Sequence, residues 1–266
     1  MRPPILILTG YGLNCEAESA HAWRLAGAEP RLAHLHDVIE DPTPLRQAAG
    51  LMLIGGFSFG DHMGSGLVFA NRLRTRLGGE LRAFLERGGI ILGVCNGFQI
   101  LTKLGLLPGL GADLFEPTVS LMQNACGHFL NRWVRVRFEP HSPCIFTRGL
   151  TEMDLPVRHG EGRLYPASSS VLAAIQRKKL AVCRYVDPTT NKPTQRFPHN
   201  PNGSVKAIAG LCDPTGRVFG LMPHPEAYLF PENHPHWDFQ KVRGALPEYG
   251  SGLSIFINAV NYLRAS

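Results

Sequence analysis

The segment Gly93-Val94-Cys95-Asn96-Gly97-Phe98-Gln99 puts a cysteine between two glycines. A short apolar run, Gly89-Ile90-Ile91-Leu92, precedes it, and Phe98 to Leu104 reads as a helix. A cysteine at a strand-to-helix turn has the arrangement of a nucleophile elbow, in which a sharp turn lifts the side chain out of the sheet. The helix N-terminus behind it offers unpaired N–H groups and partial positive charge, which favour a thiolate. The same residues also suit a small apolar filler in an ordinary turn. Catalysis would require a base elsewhere in the chain.

Pro223-His224-Pro225-Glu226 offers that base, just after the strand candidate Phe219 to Met222. In an extended segment, residues two apart point to the same side. His224 and Glu226 therefore share a face, and the carboxylate can orient the imidazole. Cys95, His224 and Glu226 form a candidate triad. Acyl transfer also needs oxyanion donors. The backbone N–H of Asn96 is one candidate, and Gly55 or Gly56 is the other. Both glycines open the loop Gly55-Gly56-Phe57-Ser58-Phe59-Gly60-Asp61-His62-Met63-Gly64-Ser65-Gly66, which lacks the lysine and spacing of a phosphate-binding P-loop. The pairs His34/His36 and His234/His236 have a spacing that metal sites use. No carboxylate-rich cluster accompanies either pair, so no metal is expected.

The elements that would position these groups alternate between strand and helix. Residues 5–8, 30–35, 51–54 and 89–92 read as strands, and helices are expected over 15–26, capped by Asn14, and over 69–87. Residues 41–50 read as a turn and a short polar segment. Buried strands alternating with helices predict an α/β fold with an open, mostly parallel twisted sheet flanked by helices. Loops beyond the carboxyl ends of such strands build active sites. After Pro108 the pattern changes. Trp133 to Phe138 alternates strictly, as a half-exposed antiparallel strand does, and 180–185, 205–211 and 218–222 are further strands. An antiparallel extension is therefore expected in the second half, closed by a helix over 253–263. Residues 187–203 and 228–250 read as long loops. One domain spanning 1–266 is expected.

Bulk properties exclude several classes. The 266 residues are 44% hydrophobic and 18% charged, with a formal charge of +6. That excess is spread along the chain, and no basic run interleaved with aromatics argues for nucleic acid. Six cysteines lack CxxC spacing, which points to a reducing, cytoplasmic compartment. No stretch approaches the apolar length of a membrane span.

Together these motifs resemble the class I glutamine amidotransferases. Gly93, Cys95, Gly97 and Gln99 meet the signature G-x-C-x-G-x-Q, and His224 and Glu226 meet its C-terminal His-x-Glu. Within that family the sequence is most similar to the glutaminase subunits of phosphoribosylformylglycinamidine synthase. The further matches are 55–61, His159-Gly160-Glu161-Gly162-Arg163, Asn200-Pro201-Asn202-Gly203-Ser204 with Ile208-Ala209-Gly210, Gly220 to Glu226, and Asn124 to Val134. The resemblance implies a flavodoxin-like fold and hydrolysis of glutamine through a Cys95 thioester. It makes His224 the proton carrier and Glu226 its orienter, and has Gln99 and Asn124 help to position glutamine. It also implies that ammonia passes to an ATP-dependent synthetase subunit, with a small third subunit as a further partner. There formylglycinamide ribonucleotide would become the amidine, a step of purine biosynthesis. No cofactor is expected in this chain, and ATP and Mg2+ would belong to the partner. The family often has serine where Cys126 stands, which leaves a hydrogen-bonding role there open. His159 to Gly162 would shape the site or the partner interface. Two alternatives remain at this point: an amidotransferase serving another acceptor, and a catalytically silent regulatory subunit.

Overall fold

The computed structural model describes residues 1–265. Its first half contains β1 (Pro4–Thr9), α1 (Glu16–Leu25), β2 (Glu29–His34), α2 (Leu35–Glu40), α3 (Thr43–Gln47), β3 (Gly50–Leu53), α4 (Leu67–Glu86), β4 (Ile90–Val94) and α5 (Asn96–Leu104). The second half adds β5 (Val119–Gln123), β6 (Leu130–Phe138), β7 (Glu152–His159), β8 (Glu161–Pro166), α6 (Ser169–Arg177) and β9 (Ala181–Asp187). The two-residue β10 (Lys192–Pro193), β11 (Ile208–Cys212), β12 (Val218–Leu221), α7 (Trp237–Val242) and α8 (Leu253–Ala265) complete the order.

The main sheet runs β2-β1-β3-β4-β12-β11-β9-β6-β7, and β10 pairs with β9. Strands β2, β1, β3, β4 and β12 are parallel, and the rest are joined antiparallel. The parallel part has the 2-1-3-4-5 order of a flavodoxin-like sheet, with β12 in fifth place. Its apolar runs are buried on both faces. Ile5 to Leu8, Leu51 to Leu53 and Ile90 to Leu92 are all at most 1% exposed, as strands covered by helices on both sides must be. α4 turns Phe69, Leu73, Leu77, Leu81 and Phe84 inward at helical spacing.

β12 is the hinge of the plan. It pairs in parallel with β4, with Leu221 opposite Val94, and antiparallel with β11. The N–H of Cys95 continues that ladder to the carbonyl of Leu221 at 2.9 Å. The turn after β4 and the segment after β12 therefore leave the sheet side by side.

Several local expectations shift. Asn14 does not cap α1: the N-cap is Cys15, without a side-chain cap, and Asn14 Oδ1 instead accepts from Cys15 Sγ at 3.5 Å. The strand expected at 30–35 ends at His34, and α3 occupies much of the polar segment 41–50. Residues 205–207 form a 3-10 turn before β11. The long loops are partly ordered, by β10 in one and α7 in the other. Strands β5, β7 and β8 and helix α6 were not expected from the pattern. β7 carries Pro156 in its interior, which is permitted because β7 is the last strand of the sheet and pairs with β6 alone. None of the described helices is long and apolar enough to cross a membrane.

Candidate active site

Cys95 sits in the turn from β4 to α5 with φ 52° and ψ −105°, a strained conformation for a residue with a side chain. Gly97 makes the turn possible. A Cβ there would lie 1.9 Å from the carbonyl oxygen of Leu53, so helix and sheet meet at a distance only glycine allows. Cys95 is 4% exposed, and its Sγ lies 3.6 Å from the carbonyl oxygen of Arg158.

His224 follows β12, and its own N–H is anchored to the carbonyl of Pro156 at 2.8 Å. Its Nδ1 lies 2.6 Å from Glu226 Oε1, and both side chains are buried. Burial opposes a charge on this imidazole. The neighbouring Glu226 carboxylate, then Cys95 and Cys15, outweigh it and hold its pKa well above the usual histidine value. The environment thus favours an imidazolium beside the Cys95 sulfur. His224 Nε2 is buried and makes no hydrogen bond among the described residues, which leaves it available for proton transfer.

Asn96 opens α5, where the first N–H groups have no intrahelical acceptor. Its backbone can face an oxyanion, and its side chain donates to Gln99 Oε1 at 2.8 Å and Asp61 Oδ1 at 3.3 Å. Of the two loop glycines, Gly56 lines the cavity beside Cys95. Its φ is +134°, and a Cβ would meet Leu13 Cα at 2.6 Å, so the turn requires glycine. Gly55 lies behind it. Its carbonyl accepts from the N–H of Asn14, and a Cβ there would press on His224 and Cys15.

Two adjoining cavities meet at Cys95, and both are walled by Gly56, Phe57, Phe129 and Arg158. One, of about 130 Å³, is completed by Asp61, Ser65, Gln99, His159, Gly160 and Glu161. The other, of about 230 Å³, is completed by Asn14, Cys15, Glu18 and His224. A larger cleft of about 380 Å³ beside Arg137, Glu139 and Arg184 holds no nucleophile, so chemistry rather than size marks the site.

Gln99 lines the first cavity and donates from Nε2 to the carbonyl of Glu161 at 2.6 Å. Asn124 does not line either cavity. It sits beneath the 158–161 turn, donating to the carbonyl of His159 at 2.8 Å and accepting from His159 Nδ1 at 3.0 Å. Burial, reinforced by nearby His224, pushes His159 down to about 3. His159 is therefore a neutral wall of the cavity, not a proton carrier near neutrality. Cys126, half-buried, donates to the carbonyl of His128 at 3.5 Å. The paired histidines shape turns: His34 Nδ1 accepts from the N–H of His36, and His234 Nδ1 from that of His236.

Residues missed at the sequence level complete the picture. Asp61 and Glu161 face the same cavity from opposite halves of the chain. Burial raises the Asp61 pKa first, and the Glu161 charge adds to it. Glu161 Oε2 accepts from the N–H of Ser65 at 3.2 Å. Both carboxylates lay in quoted motifs, but only the fold brings them together. Cys15 was seen as the start of a helix, and no spacing could place it against His224.

A buried thiol beside an imidazole–carboxylate pair, at the N-terminus of a helix, is the set of groups that amide-cleaving acyl transfer uses. Residues 2–263 match the family model of the CobB/CobQ-like glutamine amidotransferase domain, and the chain belongs to that family. Within it, the chain is 41% identical over 270 residues to the phosphoribosylformylglycinamidine synthase subunit PurQ of Methanococcus maripaludis, covering 99% of this chain and 100% of that one. It thus belongs to the PurQ family of amidotransferase subunits. It is also 35% identical over 275 residues to human phosphoribosylformylglycinamidine synthase, covering 98% of this chain and 20% of that protein. Among solved structures, PurLQS from Thermotoga maritima contains a chain that superposes with a TM-score of 0.72 at 29% identity, over 99% of this chain and 100% of that one.

Proposed function

We propose that this chain is the glutamine-hydrolysing subunit of a phosphoribosylformylglycinamidine synthase, acting on glutamine with Cys95 as nucleophile. The observation that carries the reading is the register of β4 and β12, which sets Cys95 beside the buried His224–Glu226 pair.

Glutamine enters the cavity that holds Asp61 and Glu161. Its α-ammonium faces these carboxylates, and its side-chain amide reaches Cys95. The Cys95 sulfur attacks the amide carbon, and the oxyanion is held by the N–H groups of Asn96 and Gly56. The C–N bond then breaks. His224 delivers its proton to the leaving nitrogen, so ammonia departs and a glutamyl thioester remains. His224, now neutral, takes a proton from water as the hydroxyl adds to the thioester. Collapse expels the Cys95 thiolate and releases glutamate. Glu226 holds the imidazole in one tautomer throughout.

The ammonia is used by a separate synthetase subunit, which converts formylglycinamide ribonucleotide to the amidine. ATP and Mg2+ belong with that subunit, and a small third subunit joins the assembly. Support comes from the name of the similar Thermotoga assembly, PurLQS. Such an assembly would work in the cytoplasm.

The test pairs this chain with its synthetase subunit and supplies either glutamine or ammonia. Wild type should support amidine formation from both. Cys95→Ser should support it from ammonia alone. If the wild-type pair forms product from ammonia but never from glutamine, the proposal fails.

A further inference from the structure

Cys15 is a second thiol against the base of the triad, and neither the triad nor the oxyanion donors use it. It is 6% exposed, at the start of α1, and shares a cavity wall with Cys95 and His224. Ligand atoms of Cys15, His224 and Glu226 all lie within 4.8 Å of one another, and all three residues are buried. Glu226 Oε2, buried in this cluster, lacks a hydrogen-bond partner among the described residues. An unpartnered buried atom is costly, and a ligand that takes up its lone pair removes that cost.

We infer that Cys15, His224 and Glu226 form a capture site for a thiophilic divalent cation of the Zn2+ or Cd2+ class, whose binding blocks the triad. The donor set is one sulfur, one imidazole nitrogen and one carboxylate oxygen. That mixture selects zinc-like ions over Mg2+ or Ca2+, which prefer oxygen alone. On binding, the Cys15 S–H bond breaks and the His224 imidazolium gives up one ring proton; both protons go to solvent, and Sγ and the freed ring nitrogen bond the metal. One thiolate and one carboxylate then balance the two positive charges, so a buried site carries no net charge from the cation. The three donors come from two elements, the start of α1 and the segment after β12. Small movements bring them from their present spacing to metal-bond lengths. With the imidazole engaged by the metal, His224 no longer relays protons. The blocking effect rests on the glutaminase reading above, whereas the binding does not.

The first test therefore reads binding without activity. Full-length Cys95→Ala is titrated with Cd2+, and the ultraviolet thiolate-to-metal charge-transfer band is followed. The expected result is a saturable band with one equivalent of metal that the Cys95→Ala/Cys15→Ala double variant lacks. Equal bands in the two proteins overturn the proposal. The second test measures inhibition by Zn2+ of glutamine-dependent turnover in the complex, each variant against its own metal-free rate. Cys15→Ala should need roughly tenfold more Zn2+ or greater for half-inhibition, as loss of a ligand demands. Equal sensitivity overturns it. Cys15→Ser, which keeps the volume but offers no thiolate, serves in both assays should the alanine variant fold poorly.

Discussion

His224 Nδ1 lies 2.6 Å from Glu226 Oε1, in a setting where the two residues are 3% and 2% exposed. Only Pro225 separates them in sequence, and the 3-10 turn Pro225–Ala227 folds the carboxylate back onto the ring. In the mechanism proposed above, this contact holds the proton on Nδ1 and leaves Nε2 to exchange protons with the thiol and the leaving nitrogen. Glu226→Gln keeps the volume and removes the charge. Glutamine-dependent turnover of the complex should fall by roughly 10²- to 10⁴-fold, the range of general acid–base catalysis. The ammonia-dependent rate should stay at its wild-type value. Steady-state rates with the two nitrogen sources decide the matter, and a parallel fall in both would place the effect outside the triad.

The elbow makes a separate prediction about stability. A Cβ on Gly97 would stand 1.9 Å from the carbonyl of Leu53, whereas one on Gly79, within α4, meets nothing within 4 Å. Gly97→Ala should lose at least about 3 kcal/mol, because backbone must move to relieve the overlap. Gly79→Ala should gain about 0.5–1 kcal/mol from helix propensity. Urea unfolding of the two variants checks both signs, and similar stabilities for the two would contradict the close approach of α5 to β3.

The carboxylate pair bears on affinity. Glu161 reaches the cavity from the start of β8, and Asp61 from the loop after β3. A charged hydrogen bond to the α-ammonium of glutamine is worth about 1.5–3 kcal/mol. Glu161→Gln should therefore raise KM for glutamine by roughly 10- to 100-fold, with kcat much less affected. Initial rates over a range of glutamine concentrations separate the two constants. A lower kcat at unchanged KM would remove Glu161 from substrate binding.

How much of this was legible beforehand follows the range of the interactions. The parallel half announced itself because doubly buried strands are continuous apolar runs, as in Ile5 to Leu8 and Ile90 to Leu92. The triad was legible because Cys95 and His224–Glu226 each stand in a short local motif. β7 was hidden by Pro156, whose cost depends on an edge position that sequence does not state. The place of Asn124 was hidden for the same kind of reason. Its motif marks it as important, but only the packing of β7 and β8 shows that it supports His159 and stays clear of the cavity. Contacts between distant elements, such as Cys15 with His224 or Asp61 with Glu161, leave no periodicity to read.

His159 links the fold to pH. Its ring is 2% exposed, its Nδ1 donates to Asn124, and burial followed by the nearby His224 pushes it down to about 3. In the unfolded chain it would titrate near the ordinary 6.5. Above that value both states hold it neutral, and it adds no pH dependence. Between about 6.5 and 3 the unfolded chain takes up a proton that the folded chain refuses, so stability falls by about 1.4 kcal/mol per pH unit. His159→Gln removes the titrating group and keeps a side-chain donor for Asn124. On acidification from about pH 7 to about pH 5, wild type should lose roughly 2 kcal/mol more unfolding free energy than the variant. Urea titrations at the two pH values measure that difference. Equal losses would mean that the folded protein accepts the proton on His159 and that the wall of the cavity is not a neutral imidazole.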